Sequence, residues 1–237
     1  MKPIQLKKHI VFEDDDFIVI NKPPFISSLF DRNAPISIQN EIKNYCQTAT
    51  LAHRLDKNTS GCLIAAKHEN AYKHIALQFE KRETKKVYHA IVDGQLNVEE
   101  ELVDVPLLKT NKASSIVSGN GKPAATFFKT LQIFKNHTLM ACQPVTGKFH
   151  QIRVHLQYIG YPIAADELYG GKVPYLSELV RKYKPGKRDE NPMIGRFALH
   201  ASSIKFKNMK NQEVRAEADY PKDFAVFLKL LQKNASI

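Results

Sequence analysis

Cysteine is scarce in this 237-residue sequence, and long apolar runs are absent. The three cysteines, Cys46, Cys62 and Cys142, are odd in number and far apart, so they fit neither a disulfide framework nor a zinc site. Each is expected to be a small buried hydrophobic side chain. No segment approaches the roughly 18 to 20 apolar residues that span a bilayer, and the N-terminal stretch lacks the pattern of a signal peptide. These absences predict a cytoplasmic protein.

Acidic residues are also few relative to basic ones, with 24 Asp and Glu against 35 Lys and Arg and a formal net charge of +11. An excess of basic side chains favours a polyanionic partner, because neutralising phosphates releases condensed counterions. Charge alone does not identify the polyanion, and solubility or an anionic surface explains it as well. No internal repeat, low-complexity tract or linker is visible. A single domain over residues 1–237 is therefore predicted, with a monomer as the expected state.

The stretch LAHRLDKNTSG, residues 51–61, has the composition of a rigid polar loop. The short polar side chains after Asp56 bond nearby backbone amides, and Gly61 supplies backbone angles that other residues resist. The apolar run that follows, residues 62–66, is typical of a buried strand. Asp56 is thus predicted to lie at the mouth of a sheet, where catalytic groups are commonly displayed. On spacing alone, a plain turn residue is the simpler interpretation.

Apolar runs and turn signals elsewhere predict many short strands and a few helices. Three consecutive aspartates, residues 14–16, form the expected turn of a first hairpin, and they lack the spacing of a calcium loop. An Asn-Gly pair at residues 120–121 is expected to join two further strands into a hairpin. The expected strands cover residues 9–12, 17–20, 62–66, 85–94, 114–118, 124–134, 138–144 and 198–206, and the expected helices cover 36–45, 71–79, 175–183 and 224–231.

A helix is also predicted before Gly160, which is positioned as its C-terminal stop. Arg153 falls off the apolar stripe of this helix and is left to meet a carboxylate. His150 and His155 are five residues apart and would not share a helical face as zinc ligands do. The apolar residues at helical spacing are Phe149, Ile152, Leu156 and Ile159.

The string HRLDKNTSG resembles the HRLDxxTSG signature of the RluA-type pseudouridine synthases, with seven of its nine positions matched. Lys148 and Phe149 replace the usual Arg and Thr of one further motif, and Phe25 stands where the family usually has Gly. Since the first strand begins near residue 9, no room is expected for the S4-type RNA-binding module of many members. The further strings that resemble family motifs are NKP at 21–23, KxYxA at 86–90, GKxAxT near 122–126, GRTHQIRVHL at 147–156, DxLYGG at 166–171 and LHA at 199–201.

The resemblance implies an α+β fold, with a mixed, mostly antiparallel central sheet and helices on its faces. It implies an enzyme that isomerises uridines to pseudouridine in ribosomal or transfer RNA, without a metal or an organic cofactor. Asp56 is then the essential carboxylate, which either attacks C1′ or removes a ribose proton. Arg153 is its expected ion-pair partner and favours the charged carboxylate, and Tyr88 is expected to stack on the base and to help deprotonate C5.

The resemblance also implies a set of substrate-binding residues. The target base must be extruded from its stack, and Arg54 is expected to fill the space that the uridine leaves. Leu199 is expected to form an apolar wall of the pocket. The complete expected substrate-binding set is His53, Arg54, Lys148, His150 and Leu199.

Two other functions stay open. An RNA glycosylase or nucleoside hydrolase could also use a carboxylate at C1′, and would release uracil. A basic RNA-binding protein could keep the scaffold without activity, although the joint presence of Asp56, Tyr88 and Arg153 argues against it. A basic segment is either a solvated loop or a substrate contact. Its basic residues are Lys172, Arg181, Lys182, Lys184, Lys187 and Arg188.

Overall fold

The computed structural model of the chain describes residues 4–30, 36–180, 183 and 189–236. Its strands are β1 Ile10–Glu13, β2 Phe17–Lys22, β3 Thr50–Leu51, β4 Ser60–Ala66, β5 Lys85–Asp93, β6 Glu101–Asp104, β7 Leu107–Lys109, β8 Ser115–Val117, β9 Ala125–Ile133, β10 His137–Pro144, β11 Leu199–Lys207 and β12 Glu213–Glu217. Its α-helices are α1 Ile38–Tyr45, α2 Glu69–Glu80, α3 Gln151–Tyr158 and α4 Lys222–Asn234, and short 3-10 helices lie at Leu6–His9, Glu167–Tyr169 and Leu176–Glu178.

The chain divides into two compact units. The first contains the residues up to Tyr88 and His200–Tyr220, and the second contains His89–Leu199 and the residues from Pro221 onward. The division falls inside β5 and inside β11. The single domain expected over residues 1–237 stays a prediction.

The first unit is built on the antiparallel pair β2 and β4, with β1 on β2 and β3 on β4. On β4 lies β11, which runs parallel to it with His200 opposite Ser60, and β12 pairs antiparallel with β11. Hydrophobic residues of β2 and β4 alternate between two clusters, because successive strand side chains point to opposite faces. Ile18 and Leu63 pack with α1, whereas Phe17 and Ile64 pack with α2.

All seven residues of β4 are buried, since both faces of this strand are covered. The helices that cover them begin at side-chain caps. Ser37 Oγ accepts a hydrogen bond from the Asn40 amide at the start of α1, and His68 Nδ1 accepts one from the Ala71 amide at the start of α2. The predicted N-terminal hairpin, the strand at 62–66 and both helices are confirmed.

The second unit contains an antiparallel arrangement in which β9 lies between β10 and β6, and a separate antiparallel pair, β7 and β8. A small core of Leu107, Ala124, Val154 and Tyr169 joins β7 to α3 and to the 3-10 helix Glu167–Tyr169. Among the described residues, the named strands within each unit pair antiparallel, except for β4 with β11. The predicted mixed, mostly antiparallel α+β fold is therefore confirmed.

The hairpin predicted at residues 120–121 is wrong in its pairing. Strands form on both sides of the turn, but β8 pairs with β7, while β9 pairs with β10 and β6. The turn instead places Lys122 in an isolated antiparallel bridge with Leu107. A Cβ on Gly121 would lie 2.5 Å from the Leu107 backbone. An Asn-Gly pair therefore specifies the local turn, whereas tertiary contacts choose the partner strand.

The helix α3 forms where it was predicted, but it is not amphipathic. Every residue from Gln151 to Leu156 is buried, including Arg153. The apolar stripe identified the helix, yet Gln151 and Arg153, which lie off that stripe, are buried as well and have polar partners of their own. The helix predicted at 175–183 is wrong in extent, because its described part contains the 3-10 turn Leu176–Glu178.

Most of the predicted basic segment, Arg181, Lys182, Lys184, Lys187 and Arg188, lies outside the described residues. The described part of the chain contains no helix both long and apolar enough to span a bilayer. All three cysteines are free, and Cys62 and Cys142 are buried as predicted, whereas Cys46 is half-buried. Burial raises the pKa of the Cys62 thiol to about 12.

Candidate active site

The loop that carries Asp56 lies between β3 and β4, which pair through Leu51 and Ala65. The carbonyl of Asp56 accepts a hydrogen bond from the Thr59 amide at 3.0 Å, which closes the predicted turn. Gly61 follows with φ of 109°, and a Cβ there would lie 2.1 Å from the carbonyl oxygen of Ala201. Only glycine tolerates that approach, so the Thr-Ser-Gly end of the motif seats the loop against β11.

Two buried side chains fasten the backbone on either side of Asp56. Ser28 Oγ donates to the carbonyl of Leu55 at 2.7 Å and accepts from its amide at 3.0 Å. Lys22 Nζ donates to the carbonyl of Lys57 at 3.1 Å and to that of Ile26 at 2.9 Å. Asp56 therefore projects from a segment whose preceding and following residues are both held.

Tyr88, at the end of the first unit, is half-buried and packs against the cluster that contains Ile20 and Leu63. Burial raises the pKa of its phenol, and the negative charge of Asp56 raises it further. Asp56 is half-buried as well. The charge of Asp56, one predicted catalytic residue, therefore disfavours ionisation of Tyr88, another. The phenol of Tyr88 is protonated at neutral pH.

His53 faces inward from the same loop. Its Nε2 accepts a hydrogen bond from the Ile64 amide at 3.3 Å, and its ring lies 5.1 Å from that of Phe79. Burial, and to a smaller extent the charge of Lys86, lower the pKa of His53 to about 3. A neutral ring that accepts from β4 serves to hold the loop. The neighbouring Arg54, by contrast, is exposed.

In the second unit, Arg153 is buried on α3 and binds Asp166 through two hydrogen bonds. Its Nε and Nη2 each donate to one carboxylate oxygen at 2.7 Å. The guanidinium carbon lies 4.8 Å from the ring centroid of Tyr169 and 4.1 Å from that of Phe197. Asp166 is 1% exposed. Sequence reasoning noted the DxLYGG string only as a motif resemblance, and so it missed this carboxylate as the partner of Arg153.

The motif residues before α3 form a second polar cluster. His150 adopts φ of 57°, and its Nδ1 lies 2.9 Å from the Tyr169 hydroxyl. Because that hydroxyl accepts from the Ser115 amide at 2.9 Å, its proton is available to donate to Nδ1. Phe149 stacks on His150 with ring centroids 3.8 Å apart, and Lys109 Nζ lies 5.2 Å from the Phe149 ring. Phe149, which the motif comparison leaves unexplained, thus belongs to an aromatic pair.

Gln151 anchors the same segment, and sequence reasoning missed this role. Its Oε1 accepts from the Thr146 hydroxyl at 2.6 Å and from the Lys148 amide at 2.9 Å, and its Nε2 donates to Ala125 and Thr126. Lys148, predicted to bind substrate, is half-buried. A buried glutamine with every polar atom satisfied fixes the turn that leads into α3.

Arg196 is a further buried cation that sequence reasoning missed. It forms a paired contact with Asp223, with Nε to Oδ2 at 2.7 Å and Nη2 to Oδ1 at 3.1 Å. Its Nη1 donates to the carbonyl of Leu199 at 3.1 Å. Leu199, expected to form a pocket wall, is 4% exposed. The sequence signal that could have identified Arg196 was its position just before a predicted strand.

His200 is buried in the first unit and bridges two segments. Its Nδ1 lies 2.9 Å from Ser60 Oγ, and its Nε2 lies 2.9 Å from the carbonyl oxygen of Ala218. The LHA string therefore ties β11 to the start of β4. Its histidine supports the seat of the Asp56 loop.

Comparison with known sequences gives a family match over most of the chain. The sequence model of the family described as RNA pseudouridylate synthase matches residues 16–158. The chain is 37% identical, over 90% of its length, to the Ribosomal large subunit pseudouridine synthase C of Vibrio parahaemolyticus serotype O3:K6, and 39% identical over 86% to that of Vibrio cholerae serotype O1. It covers 65% and 63% of those two proteins, less than two thirds of their length.

A relative of similar length also matches. An uncharacterized RNA pseudouridine synthase of Zymomonas mobilis subsp. mobilis is 32% identical over 92% of this chain and 96% of its own length. Among solved structures, the human protein RNA Pseudouridylate Synthase Domain Containing 4 superposes with a TM-score of 0.75 and 23% identity, over 96% of this chain and 94% of that one. At that identity, the superposition shows a shared fold.

Proposed function

This chain belongs to the RNA pseudouridylate synthase family, and within it to the RluA type, and from this premise we propose that it isomerises uridines in RNA to pseudouridine. The observation that carries the proposal is the held loop of Asp56, whose backbone is bound on both sides by buried side chains, and whose charge raises the pKa of the Tyr88 phenol. Both residues stand in the matched motifs, and Asp56 lies on a loop held by Lys22 and Ser28.

The proposed reaction breaks the bond between N1 and C1′ and forms one between C5 and C1′. The C5 proton is lost and N1 regains one, so the product has the mass of the substrate. Asp56 is the proposed carboxylate, acting at the ribose either as a nucleophile at C1′ or as the acceptor of a ribose proton. A held carboxylate suits either route, because orientation removes part of the entropic barrier.

Tyr88 is proposed to stack on the uracil ring while the base turns. Its raised pKa keeps the phenol protonated at neutral pH, because burial and the Asp56 charge both oppose ionisation. A protonated phenol offers an aromatic face and a hydrogen-bond donor. It favours holding the detached base over acting as a resident base, so its expected part in C5 deprotonation is the weaker of the two assignments.

The remaining predicted site residues have proposed roles of two kinds. Arg54 is exposed, and its planar guanidinium can stack where the extruded uridine leaves a gap. Arg153 is the proposed cation for the reacting carboxylate, on the strength of its motif. Residues proposed to position these groups or the RNA backbone are His53, Lys148, His150 and Leu199.

Large-subunit ribosomal RNA is the proposed substrate, because several relatives are named for the ribosomal large subunit. The net charge of +11 suits a phosphate-rich partner. A cytoplasmic location and a monomer complete the proposal. Size-exclusion chromatography with light scattering checks the second of these.

Pseudouridine mapping by carbodiimide modification tests the function. Total RNA from cells with and without this protein should differ at one or a few uridines, which become modified only when the protein is present. A glycosylase would instead leave abasic sites and free uracil, which mass spectrometry detects as a loss of RNA mass. Identical maps from the two RNA samples would contradict the proposal.

A further inference from the structure

Phe25 has an unusual backbone and an exposed ring. It follows Pro23 and Pro24 with φ of 69°, in the left-handed region that bulky residues avoid. Its side chain is 42% exposed. The strained backbone thus leaves a large part of an apolar ring in water, and such strain concentrates at functional sites.

The neighbouring side chain behaves in the opposite way. Ile26 is 5% exposed and belongs to the core cluster with Ile20 and Leu55. Within the described part of the chain, the Phe25 ring takes part in no aromatic or cation–π contact. The turn thus buries Ile26 and leaves Phe25 outside the core.

Hydrogen bonds place this turn beside the Asp56 loop. Lys22 Nζ donates to the carbonyls of both Ile26 and Lys57, so one ammonium group joins these two backbone positions. Ser28 binds both backbone atoms of Leu55. The turn that carries Phe25 is therefore tied to the residues on either side of Asp56, through Ile26 on one side and Ser28 on the other, within the same unit.

The chemistry around this ring suits a nucleotide. Arg54 and Lys57 are exposed on the fastened loop, and they supply positive charge for phosphates. Leu29 and Phe30, at the end of the same turn, are 45% and 64% exposed. An exposed ring together with cations on the adjoining loop is the combination by which proteins bind unpaired bases.

We propose that Phe25 is a stacking platform for an unpaired base of the substrate RNA, next to the uridine on which Asp56 acts. This inference rests on the proposed function for the identity of the ligand. It assigns a binding role to a residue at which the chain departs from the family's usual glycine. The phenyl ring adds stacking area that glycine lacks.

The test compares Phe25→Gly with Phe25→Tyr and with a control, Tyr72→Ala, which removes an aromatic side chain that is 39% exposed on α2. Affinity for a fluorescein-labelled oligouridylate is measured by anisotropy, beside the same oligomer carrying abasic positions. Melting temperature is measured for each variant. Pseudouridine formation on large-subunit ribosomal RNA is followed separately.

We expect Phe25→Gly to weaken oligouridylate binding about tenfold, within the roughly 5- to 150-fold that one base stack contributes. Phe25→Tyr and Tyr72→Ala should bind as the parent does, and the loss in Phe25→Gly should vanish with the abasic oligomer. The melting temperature of Phe25→Gly should hold or rise by about 2 °C, because glycine removes the φ strain.

Unchanged oligouridylate affinity in Phe25→Gly would overturn the inference, as would an equal loss on the abasic oligomer. A fall in its melting temperature together with its affinity would also overturn it, because the ring would then be structural. If the parent protein forms no pseudouridine but Phe25→Gly loses affinity for bases alone, the proposed function fails and the stacking platform stands.

Discussion

Replacing Asp166 with asparagine should strongly destabilise the protein, because it removes the negative charge from a buried ion pair. Asp166 is 1% exposed and Arg153 is 5% exposed, and two hydrogen bonds of 2.7 Å join them. Asparagine keeps the volume but turns one acceptor into a donor that faces the guanidinium. Losing one partner of a buried pair costs about 3–5 kcal/mol. The preserved shape places Asp166→Asn near 3 kcal/mol.

That cost converts into a large thermal shift. For a chain of this size each kcal/mol moves the melting temperature by about 2–4 °C, so a fall of about 6–12 °C is expected. Urea unfolding followed by circular dichroism measures the free energy directly. The control is Glu69→Gln, which removes an exposed ion pair with Lys73 on α2 and should change stability by less than about 0.5 kcal/mol.

The double variant Arg153→Met, Asp166→Leu separates stability from function. Apolar replacement of a whole buried pair is often neutral or stabilising, so its stability should recover most of the loss. Pseudouridine formation should be absent in this double variant, because Arg153, the proposed cation for the reacting carboxylate, is gone. An Asp166→Asn variant as stable as Glu69→Gln would refute the reasoning, since the pair would then contribute no more than a solvent-exposed one.

Further predictions concern the loop around Asp56. Ser28→Ala should destabilise the protein by about 1–3 kcal/mol, because it leaves the buried Leu55 amide unsatisfied. The same variant should lower kcat while changing KM less, and an unchanged kcat would contradict the positioning role. The folded-state pKa of His53 is lowered to about 3 from an unfolded value of 6.5, so the stability it contributes is complete above pH 6.5 and is lost as pH falls toward 3. His53→Gln, which can still accept from Ile64, should therefore flatten the decline in urea midpoint between pH 7 and pH 4, and an unaltered slope would count against this assignment.

The parts of the fold that sequence reasoning predicted are those whose signals are local. The run CLIAA is apolar at every position, and β4 is buried on both faces. The acidic turn before β2 forms because Asp14 Oδ1 accepts from the Asp16 and Phe17 amides. Both patterns are complete within a few residues, so no distant contact was needed to interpret them.

The parts that it missed depend on distant partners. An Asn-Gly pair cannot say that β8 will pair with β7, because that choice rests on contacts such as Gly121 with Leu107. A stripe of apolar residues predicts α3. It does not predict that Asp166, thirteen positions after Arg153, will form a buried ion pair with it.

The candidate site shows the same limit. The motif pointed to Asp56 and Tyr88, but neither motif nor spacing identifies Ser28 and Lys22 as the side chains that hold the loop. A lysine in an NKP string is expected at a surface, since lysine is almost never fully buried unless paired. Lys22 is fully buried because its ammonium donates hydrogen bonds to three backbone carbonyls, those of Pro23, Ile26 and Lys57.

The most direct test of the central claim is made with purified protein. Unmodified large-subunit ribosomal RNA is incubated with the parent protein or with Asp56→Asn, and both samples are mapped with carbodiimide while RNA binding is measured in parallel. The parent should create pseudouridine at defined positions with no release of uracil, whereas Asp56→Asn should bind the RNA and create none. Pseudouridine formation by Asp56→Asn at the parent rate would contradict the account.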